Sequence, residues 1–277
     1  MPRAHAERRA CGIQTAWTCA DTPDKAITEI AQVLDPSDIG QILVFFSQPY
    51  EAESLCAALS AKFPDVPVAG CSTSGEITSD GFSEQSVLVV AFPEQGFHFV
   101  SSVIPEVKAL SVDLASEAVQ ALRARLDKPD GAHYDNLFAI SLIDGLSRCE
   151  EAIVSAIAWA LGDIPLVGGS AGDGLTLSGT SLLHDGRVYR GAALLLLVET
   201  KHPVRSFYCD HFEPTETKLV VTSSDTSTRT VYELNAEPAA LEYANSVGLE
   251  TSSLAPMSFA AHPVVVRIGG DYYCRSI

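Results

Sequence analysis

The sequence lacks the local patterns that assign a chain to the common enzyme and membrane classes. It contains no Walker A, HExxH or GxGxxG pattern, and no two of its seven cysteines form a CxxC pair. No apolar run is long enough to span a bilayer, and the longest, residues 192–198, suits a buried strand. The first twelve residues lack the apolar segment of a secretory signal. These absences predict a protein that is not an enzyme and has no membrane partner.

Basic residues are also scarce. Lys and Arg total 18 against 35 Asp and Glu, which gives a net charge of −17. Such a chain is repelled by nucleic-acid phosphates and by anionic membranes, so neither is expected as a partner. The scattered, unpaired thiols indicate a reducing compartment and predict a cytoplasmic protein. With 277 residues, 47% of them hydrophobic, the chain is long enough to bury a sizeable core.

What the sequence does contain is a run of small residues that occurs twice. Residues 66–77 read VPVAGCSTSGEI, and residues 164–175 read IPLVGGSAGDGL. Pro67 and Pro165 lie 165 − 67 = 98 residues apart, and apolar positions upstream match at the same offset. We interpret this as an internal duplication, in which each copy reads strand, helix, strand, small-residue loop and further strand. The matching positions are Ile42, Val44, Leu55, Ala58 and Leu59 with Ile140, Leu142, Ile153, Ala156 and Ile157.

The pattern of apolar residues predicts an α/β fold with two β/α pseudo-repeats whose strands are layered between helices. Helices are expected over residues 22–34, 51–62 and 112–126, and buried strands over 42–46, 136–143 and 191–199. The predicted domains are a flexible N-terminal arm (1–20), the duplicated α/β domain (21–203) and a partial C-terminal β-rich (α+β) module (204–277). Residues 129–131 (Pro-Asp-Gly) are the predicted boundary between the repeats. The sequence stops in mid-pattern, which predicts a fragment of a longer protein.

The two small-residue loops are the first candidate binding site. Successive N–H groups of glycine-rich loops form concave sites for anions or carboxylates, and equivalent loops of two repeats often meet around a site. Both loops are also consistent with plain tight turns. Asp173 is suited either to a ligand amine or to a hydrogen bond with its own backbone. Cys71 is either a nucleophile or a small buried hydrophobe. The predicted ligand-binding residues are Gly70, Cys71, Ser72, Gly168, Gly169, Ser170, Gly172 and Asp173.

A second candidate site lies in residues 206–212 (SFYCDHF). If this segment is a strand, Phe207, Cys209 and His211 point to one face. A histidine beside aromatic side chains is suited to ligate a haem iron, because the macrocycle requires apolar packing. The alternative is a surface histidine without a ligand.

These residues resemble the FIST sensory domain. The resemblance rests on residues 168–173 (GGSAGD) after a proline-containing strand, on HFEPT at 211–215 running into KLVVT at 218–222, and on VYELNAEPAALEY at 231–243. It covers residue 26 to the end. It implies a bacterial intracellular ligand sensor that works with histidine kinases, chemoreceptors or cyclic-di-GMP enzymes. Members of this family usually continue well past the end of this chain, so the resemblance implies that the C-terminal half is incomplete here.

Within that family the HFxPTxxKLVVT form is similar to the haem-binding, nitric-oxide-sensing members, in which the role of haem ligand falls on His211. The leading hypothesis is therefore a haem-binding nitric oxide sensor that acts on a histidine kinase or on a diguanylate cyclase/phosphodiesterase. The alternative is a sensor that binds a small molecule such as an amino acid through the two Gly/Ser-rich loops. A third and weaker hypothesis is an enzyme that depends on Cys71.

Overall fold

The computed structural model describes residues 4–126, 134–174, 176 and 179–275. The chain divides into two compact units, Met1–Ser206 and Phe207–Ile277. Each unit is described by itself below.

The first unit opens with a hairpin and then a β/α segment. Its elements are β1 (His5–Arg8), β2 (Gln14–Thr18), α1 (Pro23–Val33), β3 (Gln41–Ser47), α2 (Ala52–Lys62), β4 (Val68–Thr73), β5 (Glu76–Thr78), β6 (Gly81–Ser83) and β7 (Val87–Phe92). Helix α1 starts at Pro23 because the hydroxyl of Thr22 caps it by accepting the N–H of Lys25. The N-terminal residues expected to form a flexible arm instead contain β1 and β2, which belong to the main sheet.

The second half of this unit repeats the pattern. Its elements are β8 (Phe97–Ile104), α3 (Val112–Leu126), β9 (Asn136–Asp144), α4 (Glu150–Leu161), β10 (Leu166–Ala171), β11 (Leu182–His184), β12 (Arg187–Tyr189) and β13 (Ala193–Thr200). Helix α3 spans residues 112–126, as predicted from its apolar spacing. The α/β class, with strands layered between helices, is confirmed.

The sheet topology shows the duplication directly. One sheet contains the order β2-β7-β3-β4 and the other the order β8-β13-β9-β10. In both orders the last two strands are parallel to each other, and the strand before them is antiparallel to its neighbour. Each repeat therefore begins at β2 or β8, and the boundary between them lies between Phe92 and Phe97. This corrects the boundary expected at residues 129–131, which lie outside the described residues.

The two sheets pack face to face, and helices cover their outer faces. In β3, Ile42, Val44 and Phe46 pack against α1 and α2, whereas Leu43 and Phe45 face the second sheet. Strand β13 alternates in the same way between α3 and α4 on one side and the inter-sheet core on the other. This burial on both faces explains the continuous apolar runs. Across the described parts of the chain, no helix combines the length and apolar character needed to cross a membrane.

The hairpin β11–β12 joins the two repeats. It follows the loop of the second repeat, yet β11 pairs antiparallel with β4 of the first, Leu183 opposite Gly70. Its turn residues, Asp185 and Gly186, have φ values of 45° and 78°, which suit a tight hairpin turn. The ring of His184 is largely buried and lies 2.8 Å from the hydroxyl of Ser101 in β8. The hairpin therefore ties one sheet to the other.

The second unit contains β14 (Val221–Asp225), β15 (Thr230–Leu234), β16 (Glu237–Pro238), α5 (Ala239–Ser246), α6 (Pro256–Ala261), β17 (Val264–Ile268) and β18 (Asp271–Arg275). Strands β14–β16 form one small sheet, and β17 pairs only with β18. No regular element occurs over residues 203–220, so the segment 206–212, considered above as a strand, is not one. The first strand of this unit, β14, begins at Val221.

Glycines allow the close parallel pairing at the centre of each repeat. A Cβ at Gly70 in β4 would lie 2.0 Å from the carbonyl oxygen of Val44, and one at Gly168 in β10 would lie 1.8 Å from that of Ser141. These two glycines are 98 residues apart and therefore equivalent. A side chain at either position would push the parallel strands apart.

We expect Gly70→Ala to lower the free energy of unfolding by about 1–3 kcal/mol, as overpacking of a tight core does. Gly169→Ala is the matched control, because nothing lies within 4 Å of a Cβ at Gly169. The control should change the stability by no more than about 0.5 kcal/mol. Urea unfolding of the two variants measures the difference, and equal stabilities would contradict the steric argument.

Candidate functional site

The two small-residue loops meet in the folded chain. The N–H of Gly172 donates to the carbonyl of Ser72 at 3.0 Å, and the N–H of Gly174 donates to the hydroxyl of Ser74 at 3.2 Å. A Cβ at Gly172 would lie 2.6 Å from that hydroxyl oxygen, so only glycine permits the approach. The prediction that equivalent loops of the two repeats come together is thus confirmed by direct hydrogen bonds.

Ser72 is the centre of this junction. Its N–H donates to the carbonyl of Ser181 at 2.9 Å, and its hydroxyl oxygen accepts the N–H of Ser181 at 3.0 Å. Together with the bond from Gly172, all three polar groups of Ser72 bind the second repeat. The end of β4 is therefore fixed to both ends of the loop that follows β10.

A buried carboxylate accepts hydrogen bonds within each loop. Glu76 accepts hydrogen bonds from the hydroxyls of Ser47, Thr73 and Ser86. Asp173 is 3% exposed, and its Oδ2 accepts the hydroxyl of Thr176 and the N–H of Gly179, each at 2.9 Å. Such bonds compensate the desolvation of a buried charge. Both loops therefore have their conformations set by a carboxylate inside the protein.

A pocket of about 210 Å³ opens beside this junction, and we call it the loop pocket. It lies where the parallel strands β3 and β4 end, the edge at which α/β sheets commonly bind ligands. Residues of both repeats form its wall. They are Phe46, Gln48, Tyr50, Glu51, Ala52, Glu53, Ser72, Asp173, Gly179, Ser181 and Arg190.

Charged side chains surround the pocket. The guanidinium of Arg190 lies 2.9 Å from the carboxylate of Glu53, and both side chains are about half exposed. The carboxylate of Glu51 caps α2, accepting the N–H of Ser54 at 2.8 Å. Hydrogen bonding with Glu53 and with the hydroxyl and N–H of Ser54 lowers the pKa of Glu51 to about 2. With Asp173, the pocket thus has three carboxylates and one guanidinium.

The predicted loop residues lie in different places in the structure. Gly70 and Cys71 are buried in β4, Ser72 and Asp173 line the pocket, and Gly172 forms the junction. Gly168, Gly169 and Ser170 are exposed along β10 and do not line the pocket. The N–H groups of Ser72, Gly75, Gly172 and Gly174 already donate within the protein. This differs from the prediction that loop N–H groups are offered to a ligand.

Several pocket residues were not predicted from the sequence. Residues 48–53 follow a buried strand directly, and the polar side chains at that position are the signal that could have identified Gln48 and Glu51. No comparable signal exists for Arg190. It reaches the pocket because β11 and β12 cross onto the sheet of the other repeat, which depends on tertiary structure.

Cys71 is poorly suited to act as a nucleophile. Its side chain is 4% exposed, and burial together with the negative charge of Glu76 raises the pKa of its thiol to about 12. A thiol attacks as its thiolate, so this environment suppresses reactivity. The structure therefore favours the interpretation of Cys71 as a small buried hydrophobe.

The Ser101–His184 pair also does not form a catalytic triad. Asp185 approaches the same ring atom, Nε2, at 3.6 Å, whereas a triad carboxylate binds the other ring nitrogen. Within the described residues, no three His, Cys, Asp or Glu side chains are placed to hold a metal ion.

The second predicted site lies in the other unit. Phe207 is 81% exposed, and Cys209 and His211 are exposed as well. The ring of Phe212 lies 4.2 Å from that of His211. Because the segment is not a strand, the alternation that would place Phe207, Cys209 and His211 on one face is absent. These residues do not supply the apolar packing that a haem macrocycle requires.

Comparison with known proteins identifies one family. The family model of the FIST N domain matches residues 41–237. No curated protein matches the chain. One solved structure, described as "Cyanuric acid hydrolase: evolutionary innovation by structural concatenation", matches with a TM-score of 0.36 and 10% identity over 68% of this chain and 67% of that chain. A similarity at that level supports no statement about function.

The burial of Cys71 predicts selective alkylation. In the native protein, iodoacetamide should modify the exposed Cys19 and Cys209 and leave Cys71 unmodified. After unfolding in guanidinium, Cys71 should react as the others do, which controls for detection of its peptide. Peptide mass spectrometry gives the modified fraction of each site with time. Modification of native Cys71 as fast as Cys19 would restore the nucleophile hypothesis.

Proposed function

Since the chain belongs to the FIST N domain family of sensory domains in signal transduction, we propose that it senses an amino acid in the loop pocket. The observation that carries this proposal is the pairing of a buried carboxylate, Asp173, with a guanidinium, Arg190, in one pocket at the junction of the repeats. An amino acid presents the two complementary groups, an ammonium and a carboxylate.

Asp173 is the group for the ligand ammonium. Its carboxylate accepts hydrogen bonds from Thr176 and Gly179, and a ligand ammonium would be a charged donor to the same group. In a buried position, a charge-assisted hydrogen bond is stronger than a neutral one. The loop bonds hold the carboxylate in place before the ligand arrives, which reduces the entropy cost of binding.

Arg190 is the group for the ligand carboxylate. A guanidinium has five N–H donors in a planar fork, so it can bind a ligand carboxylate while it remains beside Glu53. The loop pocket, at about 210 Å³, is smaller than the roughly 300–1,000 Å³ of pockets that take drug-sized ligands. Its size therefore selects a small metabolite.

The charge of the pocket further restricts which amino acid it would bind. Glu51, Glu53 and Asp173 outnumber Arg190, so the pocket favours a ligand with net positive charge. We therefore expect a basic amino acid, such as lysine or arginine, to bind more tightly than glutamate.

The output of such a sensor follows from where the ligand sits. It would contact α2 and β4 of the first repeat and the 173–190 segment of the second, so binding would strengthen the junction at Ser72. We propose that a histidine kinase or a diguanylate cyclase/phosphodiesterase reads this change.

Isothermal titration with lysine, arginine and glutamate tests the proposal. Asp173→Asn and Arg190→Ala should each weaken binding of the basic amino acids about 10- to 100-fold, the effect of losing one charged hydrogen bond. Arg187→Ala is the matched control, because Arg187 is exposed on the same hairpin but does not line the pocket. Absence of binding by wild type, or an equal loss in the control, would refute the proposal.

The haem prediction for His211 has its own test. Because His211 is exposed in a segment without helix or strand, we expect added haem to give the same absorption spectrum with wild type and with His211→Ala. A Soret band present in wild type and lost in the variant would instead assign His211 as the iron ligand. That result would support the nitric oxide sensor over the amino-acid sensor.

A further inference from the structure

A second opening lies at the other end of the first unit, and we call it the aromatic cleft. It has a volume of about 570 Å³ and is lined by side chains that include Ile13, Phe92, Phe97, Phe138, His202 and Arg205. Phe92 is paired with Gln41, the first residue of β3, whereas the loop pocket lies beyond the last residues of the same strand. The two openings are therefore at opposite ends of the sheet and share no residue.

The walls of the cleft are rigid aromatic surfaces. The ring of Phe92 packs edge to face against Phe97 and Phe99, with centroids 5.4 and 4.9 Å away. Phe92 and Phe97 are each only 8% exposed, and Phe138 packs against the same inter-sheet core. Rings fixed in this way present flat apolar faces and edges to an incoming aromatic group.

The rim of the cleft is basic in an otherwise acidic protein. Residues 201–205 read KHPVR, three basic residues and no acidic one, while the whole chain has a net charge of −17. In the part of the chain that the structure describes, neither Lys201 nor Arg205 forms an ion pair. The positive charge of Arg205 beside an apolar opening is thus left for a partner of opposite sign.

His202 is held in place through its backbone. Its backbone N–H donates to the hydroxyl oxygen of Thr200 at 3.1 Å, and that hydroxyl donates to the carbonyl of Gly96 at 2.8 Å. Its ring lies 5.1 Å from the ring of Phe97. The Nε2 atom is buried and has no hydrogen-bond partner within the described residues. The ring of His202 therefore adds a fixed flat surface to the wall of the cleft beside Phe97.

We propose that the aromatic cleft binds an aromatic carboxylate, with its ring against Phe92, Phe97 and Phe138 and its carboxylate at Arg205. The volume falls in the range of roughly 300–1,000 Å³ typical of small-molecule sites, and an apolar lining with few polar groups is their usual composition. This site is separate from the loop pocket and does not depend on the amino-acid proposal.

The charge part of the proposal is tested with 2-naphthoate and its neutral analogue 2-naphthamide, titrated into the full chain and followed by calorimetry. Arg205→Ala should weaken 2-naphthoate about fivefold or more and leave 2-naphthamide within about twofold. Arg205 is exposed, so this variant should fold as wild type does. An equal effect on both probes, or no binding of 2-naphthoate by wild type, overturns the proposal.

The location is tested with two further variants. Val204→Trp should fill the cleft and weaken both probes, because Val204 lines it and is 40% exposed, with room for a larger side chain. Arg190→Ala, in the loop pocket, should leave 2-naphthoate binding unchanged, and Arg205→Ala should leave lysine binding unchanged. Loss of 2-naphthoate binding in Arg190→Ala would place the probe in the loop pocket and refute the cleft as its site.

The specificity for an aromatic ring is tested with decanoate, which has the same charge on a flexible apolar chain. Rigid ring faces favour a flat ligand that loses little conformational freedom. We expect 2-naphthoate to bind several-fold more tightly. Tighter binding of decanoate would show that the cleft selects an apolar chain, and the aromatic assignment would then be wrong.

Discussion

The hydrogen bonds of Ser72 are the interaction on which the arrangement of the first unit depends. Its N–H, carbonyl and hydroxyl all bind the second repeat, through Ser181 and Gly172. Each bond has a modest net value of about 0.5–1.5 kcal/mol, but an unpaired buried polar group costs more than that. Because the three groups are on one residue, separating the loops would leave several buried donors and acceptors unsatisfied at once. The two repeats are therefore held in one relative position at this junction.

The two repeats use their buried carboxylates differently, and this distinguishes the two equivalent strand ends. After β9, Asp144 accepts the N–H groups of Leu146 and Gly191 and the hydroxyl of Thr180. That strand end is filled by its own neighbours. After β3, Ser47 instead donates to Glu76, and the following residues, from Gln48 to Glu53, surround an open space. The duplication thus produced two similar strand ends, and hydrogen bonds to Asp144 fill the space at the end of β9.

Much of this fold could be predicted from the sequence, because it depends on local pattern. The 98-residue offset identifies β3 and β9, α2 and α4, and the two loops, since each is a short segment with its own apolar spacing. The repeat boundary could not be predicted, because β2 and β8 match in topology without matching in sequence. The segment around His211 alternates as a strand does, yet it has no partner strand within its unit, and an isolated strand gains no ladder of hydrogen bonds. Arg190 was missed because its place depends on a strand crossing between repeats.

The position of Arg190 also indicates how a ligand in the loop pocket would act on the whole unit. The next residue, Gly191, is fixed on two sides: its N–H donates to Asp144 at the end of β9, and its carbonyl accepts the N–H of Val107 before α3. The backbone beside Arg190 thus belongs to the second repeat, while its guanidinium reaches Glu53 on α2 of the first. A ligand held by this guanidinium and by Asp173 would contact both repeats together. Coupling between sites requires such an element with contacts on both sides, and the 190–191 segment meets that requirement.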